Sequence, residues 1–146
     1  MTDIKTTYDS LAEEYLNLAK TYLTIDEDTM DLAIKRHSSI FAFFGSVLSY
    51  AKKKSDKLST LLEMLEAKHM ELRRAELASQ GTKATQGALN AYVLTVQELV
   101  DLRAQLLEAQ HKYNLARNMV TSLDHQKDML VQMSANKRAE VRLHEL

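Results

Sequence analysis

The sequence contains no proline, no cysteine and no tryptophan, and glycine occurs only three times in 146 residues. Proline and glycine punctuate turns and irregular loops, so their scarcity excludes a many-stranded sandwich, a barrel or a catalytic fold assembled from loops. Without cysteine there is no disulfide framework and no thiol chemistry. Apolar runs stop far short of the ~18 residues of a transmembrane helix, and no charged-then-apolar leader opens the chain. The expectation is an all-α, cytoplasmic protein with one domain over residues 1–146 and no membrane partner.

Charged residues make up 27% and apolar residues 45%, enough for a folded core. The net charge of −1 conceals a segregation. Residues 1–31 carry eight acids against two bases, residues 32–83 carry ten bases against five acids, and residues 84–146 carry seven of each. A basic middle beside an acidic arm predicts a local anion-facing surface.

Three stretches keep a heptad rhythm. The first runs Ile4, Tyr8, Leu11, Tyr15, Leu18, Tyr22. The second begins at Ile40, Phe44, Val47 and Ala51 and continues through Lys54, Leu58, Leu61, Leu65, Lys68, Leu72, Ala75 and Ser79. The third runs from Leu99, Leu102, Leu106 and Ala109 through Tyr113, Ala116, Val120 and Leu123 to Lys127, Leu130 and Ser134. These predict an N-terminal helix over 1–24 and long helices over 39–79 and 95–140. A short helix over 26–37, capped by Asp26 or Asp28, precedes a break at His37-Ser38-Ser39, where either serine can cap the next helix. Gly81 and Gly87 mark a loop and short helix over 80–94. Thr95-Val96-Gln97-Glu98 fits a capping box for the last helix. The expected architecture is a long, coiled-coil-like antiparallel helical hairpin with shorter N-terminal helices.

Such a hairpin leaves apolar side chains outside its seam: Phe41, Phe43, Leu48, Leu62, Met64 and Met70 on one helix, and Val100, Leu107, Leu115, Met119, Met129 and Met133 on the other. A second copy of the chain is the simplest cover, so a homo-oligomer is expected. Phe41, Phe43 and Phe44 form the patch where the N-terminal helices or a neighbouring subunit dock. Tyr8, Tyr15 and Tyr22, a heptad apart, suit packing better than base stacking.

A doubled Glu-x-x-His, Glu66 to His69 and Glu108 to His111, has the spacing that di-iron bundles use. The heptad phase puts all four on solvated faces, however, and no phosphate loop, nucleophile elbow or His-Glu-x-x-His motif is present. His37 reads as a turn residue, and His125 and His144 as exposed. The expectation is a protein that is not an enzyme, with no catalytic residue, metal or cofactor. Lys52, Lys53, Lys54 and Lys57, followed by Lys68, Arg73, Arg74 and Lys83, form the candidate nucleic-acid-binding strip. Cations repeated along one helix can track a phosphate backbone, whereas the ordinary role of such a run is to solvate a face.

The run Lys35-Arg36-His37-Ser38-Ser39-Ile40, following a short acidic-start helix and opening a long lysine-rich one, resembles the UvsY-type recombination mediators of tailed phages. The resemblance is tightest from Asp26 to about Lys57 and loosens towards Gln80. It implies a small all-helical protein that binds single-stranded DNA and helps load a RecA-like recombinase onto strands covered by single-strand-binding protein, in a host cytoplasm. It also implies a ring-shaped homo-oligomer, with cations on and after the long helix touching the strand. Those cations match Lys52, Lys53, Lys54 and Lys57 in a gapless alignment from His37, or Lys68, Arg73 and Arg74 if the loop is the anchor. The rival reading is a structural or adaptor coiled coil, an assembly factor or chaperone, which gives the lysines no role. Light scattering should return a multiple of the 16.6 kDa chain mass; a monomer mass at every concentration would exclude the oligomer.

Overall fold

A computed structural model describes residues 3–146, and every regular element among them is helical. The order is α1 (Ile4–Asp9), α2 (Leu11–Leu23), a 3-10 turn (Glu27–Thr29), α3 (Met30–Ser79), α4 (Gln86–Val93) and α5 (Gln97–His144). The chain divides into two compact units. The first holds the residues up to Ala51 together with Lys112–Leu146, and the second holds Lys52–His111. The long helices α3 and α5 contribute residues to both.

In the first unit, the expected helix over 1–24 is two helices. Asp3 caps α1, accepting from the Thr6 amide at 3.0 Å and the Thr6 hydroxyl at 2.6 Å. These bonds, the hydroxyl's first, hold its carboxyl below the usual value. Ser10 separates α1 from α2, its hydroxyl donating to the Thr6 carbonyl at 3.1 Å, a local bond that competes with helix continuation. The predicted stripe nevertheless survives the break. Tyr8, Leu11, Val47, Ala51 and Ala116 form one buried cluster, with Ile4, Tyr15 and Leu18 packed against it. Phe44, Met119 and Leu123 form another, with Tyr22 and Phe43 alongside. The aromatic patch is therefore where α2 docks: Tyr22 meets Phe44 edge-on at 5.5 Å, and Phe41 stacks on His37 at 5.9 Å. Tyr8 likewise meets Tyr50 at 5.1 Å, so the tyrosine ladder packs inward.

The expected short helix over 26–37 and the break at His37-Ser38-Ser39 are absent, because α3 runs on from Met30 through Ser79. Asp26 caps only the 3-10 turn, through the Asp28 amide. Ser39 turns its hydroxyl onto the Arg36 carbonyl of its own helix at 2.9 Å. His37 is a helical residue whose Nε2 donates to the Leu123 carbonyl at 2.7 Å. Burial decides the matter: Met30, Ala33, His37, Ile40, Phe44, Val47 and Ala51 recur at helical spacing and are buried or half-buried throughout, overriding the weak propensity of the polar triplet.

Two polar side chains of α5 are buried beside these cores. Lys112 donates to the Asp9 carbonyl at the end of α1, at 2.9 Å, and its ammonium stands 5.0 Å from the Tyr8 ring centre. Gln126 donates to the Tyr22 carbonyl near the end of α2, at 2.9 Å. Each satisfies a carbonyl that a helix terminus leaves without an intrahelical partner.

In the second unit, α3 ends in a Schellman turn. The Thr82 amide donates to Leu77 at 2.9 Å and the Gly81 amide to Ala78 at 3.0 Å, with Gly81 at φ 73°. Thr85 caps α4 through the Ala88 amide at 3.2 Å. The capping box expected at Thr95 does not form. Its hydroxyl donates back to the Tyr92 carbonyl at 2.7 Å, and α5 begins at Gln97. Leu89, Val93, Leu99, Leu102 and Ala109 are the buried residues of this unit.

The heptad positions of α5 are buried or half-buried from Leu99 to Leu123 and again at Leu130 and Ser134; between them Gln126 takes the inward place assigned to Lys127. On α3 the seam position assigned to Lys54 is exposed, and the phase drifts after Leu58. Leu61, Lys68, Leu72, Ala75 and Ser79 are exposed, while Leu62, His69, Arg73 and Leu77 are half-buried. A helix of 3.6 residues per turn slips about 20° per heptad against a strict seven-residue repeat, which accounts for the one-residue shift. Met119 is fully buried, Leu48, Leu62, Met70, Leu115 and Met133 are half-buried, and only Met64, Val100, Leu107 and Met129 of the spare apolar residues are exposed. Phe44→Ala should cost about 3–5 kcal/mol of unfolding free energy, read by urea denaturation, because the ring lies at the centre of the α2–α3–α5 packing.

Candidate nucleic-acid interface

The eight cations of the candidate strip all lie in the second unit, and the structure sorts them into three groups. At 100° per residue, Lys53, Lys54, Lys57 and Lys68 fall within an arc of about 100° on α3. All four are exposed. Half-buried Leu58, Leu62, Leu65 and His69 occupy the adjoining sector, beginning about 20° beyond Lys54, so Lys54 stands at the edge of the exposed arc. Lys68 owes its place to the phase drift, since a strict heptad puts it on the seam. The same arc carries Leu61, Met64 and Leu72, which are 43%, 64% and 58% exposed, so lysine charge and uncovered apolar surface share one face.

Lys52 and Arg74 stand apart from this face. Lys52 reaches Asp56 at 3.2 Å one turn on, and Arg74 pairs with Glu71. Such exposed pairs are worth little energetically, but each sets a carboxylate beside its cation.

Arg73 and Lys83 come together at the turn between α3 and α4. Arg73 lies 5.0 Å from the centre of the Tyr92 ring and bonds Glu76 at 2.7 Å. Lys83, carried round by the Gly81 turn, joins it at a cleft of about 460 Å³ whose walls include Leu77, Ala84, Ala88 and Tyr92. That volume falls within the range of small-ligand sites, about 300–1,000 Å³. Tyr92 escaped the sequence reading because nothing in its local pattern links it to Arg73; only the turn brings the two together.

The Glu-x-x-His residues have other partners. Arg103 donates to Glu66 at 2.5 Å and to the Val93 carbonyl at 3.2 Å, and His69 Nε2 meets Glu98 at 3.0 Å. Glu66 is thus a half-buried member of an ion pair and His69 a half-buried hydrogen-bond partner of Glu98, not the solvated side chains expected, while His111 is exposed. Among the described residues, no group of three or more histidine, aspartate or glutamate side chains is placed to hold a metal ion. No helix is long and apolar enough to cross a membrane among the described residues.

Comparison with known protein families, with curated proteins and with solved structures finds no match for this chain.

Arg103 ties α3, α4 and α5 of this unit together through one guanidinium. Arg103→Met should therefore destabilise the protein by about 1–3 kcal/mol, since it leaves the Glu66 carboxylate and the Val93 carbonyl without their donor. Chemical denaturation measures the loss, and adding Glu66→Gln should recover part of it.

Proposed function

We propose that this chain is a non-enzymatic single-stranded DNA-binding protein of the recombination-mediator type. Its lysine face on α3 would run along the phosphates and help a RecA-like recombinase gain strands covered by single-strand-binding protein. The observation that carries the reading is the gathering of Lys53, Lys54, Lys57 and Lys68 on one exposed helix face that leads, in sequence, to the Arg73–Lys83 cleft. A flexible single strand can follow a row of ammonium groups without base readout, gaining affinity from released counterions. The mediator role itself rests on the resemblance at Lys35 to Ile40, extended here to the lysine face.

The long helices are read as an antiparallel pair. The pairings Glu66–Arg103 and His69–Glu98, whose numbers rise on one helix as they fall on the other, support this. Val100 and Leu107, exposed on α5 and not on the helix that carries the lysine face, support a homo-oligomer that would cover them and repeat that face. The adaptor reading draws on the same apolar residues, because a coiled-coil partner of another kind would cover them equally well.

A labelled single-stranded oligonucleotide, titrated with salt, separates the two. Binding should be tighter to single strands than to duplex and should weaken steeply with salt. Lys53→Ala, Lys57→Ala and Lys68→Ala combined should lower the slope of log affinity against log salt by roughly 2. An oligomer that ignores DNA would favour the adaptor.

A further inference from the structure

The cleft beside Tyr92 has a different chemistry from the lysine face, and we infer that it takes one unstacked nucleobase of the bound strand, with the adjoining phosphate on Lys83. This inference rests on the single-strand reading above and adds a defined subsite to it. The lysine face offers charge and scattered apolar side chains. The cleft offers an aromatic ring, a planar guanidinium 5.0 Å from it, and small aliphatic walls at Ala84 and Ala88. A flat, electron-rich heterocycle matches that lining, because base–aromatic stacking and arginine stacking use the same flat surfaces. Glu76 holds Arg73 at 2.7 Å, which fixes the guanidinium and leaves it partly neutralised. The charge complement for a phosphate therefore comes from Lys83 at the rim.

Two of the hydroxyls lining the cleft bond the backbone: Thr85 accepts from the Ala88 amide, and Thr95 donates to the Tyr92 carbonyl. Stacking on Tyr92 and Arg73 uses the face of a base, which all four bases present. All four bases should be accepted to a similar degree.

The test titrates the isotope-labelled full-length chain with a deoxythymidine trinucleotide and with an abasic trinucleotide of the same charge. The base-bearing ligand should bind about five- to 150-fold more tightly, with amide shifts concentrated between Thr82 and Thr95. Tyr92→Phe should retain the difference and Tyr92→Leu should abolish it. Equal affinity of the unaltered protein for the two trinucleotides would overturn the subsite while leaving the strand reading intact, provided a long single strand still binds. A base-dependent gain with shifts confined to other residues would also overturn it. Failure to bind a long single strand would overturn both.

Discussion

The inward face of α3 is the constraint on which the first unit is built. Met30, Ala33, His37, Ile40, Phe44, Val47 and Ala51 repeat at a period that only an unbroken α-helix can satisfy. Their partners, Leu11 on α2 and Met119 and Leu123 on α5, are buried with them. A break at the His37-Ser38-Ser39 triplet would rotate half of this face into water. The loss of apolar burial, about 25 cal/mol per Å², would outweigh the fractions of a kcal/mol per residue by which two serines disfavour a helix. His37 shows how a polar residue is accommodated on such a face: its ring stacks on Phe41 while its nitrogen serves a carbonyl of α5.

Helix content and the positions of the main turns were legible because they depend on local chemistry. Gly81 ends α3 in a left-handed turn, and the apolar spacing from Leu99 to Leu123 matches what is buried on α5. What remained hidden depends on the partner of each side chain. A serine at position 10 and a serine at position 39 look alike in sequence. The first sits between two helices and the second inside one, and the difference lies in the neighbouring apolar residues. Lys112 and Gln126 read as ordinary polar residues, yet both are buried because two helix ends happen to need donors there.

The candidate site was half legible for a similar reason. Composition alone finds the eight cations, but their grouping depends on helical phase, and the leucines at 61, 62, 65 and 72 are compatible with either of two phases. A shift of one residue exchanges the roles of Lys68 and His69. The lysine then joins the exposed row, and the histidine turns towards Glu98. Arg73 and Tyr92 lie 19 positions apart in sequence and meet only across the turn, so no local pattern announces their contact.

The two donors Lys112 and Gln126 stand fourteen residues apart on α5, about four turns of helix. Each is matched to the end of a different short helix, which makes α5 a measuring stick for the N-terminal segment. Exposed side chains between the two marks, such as Asn114, Arg117 and Asn118, can vary with modest effect, whereas inserting or deleting a single residue would swing one mark by about 100° away from its carbonyl. On the solvent side of this stretch the constraint therefore falls on length more than on identity, while Ala116, Met119 and Leu123 are held by the core.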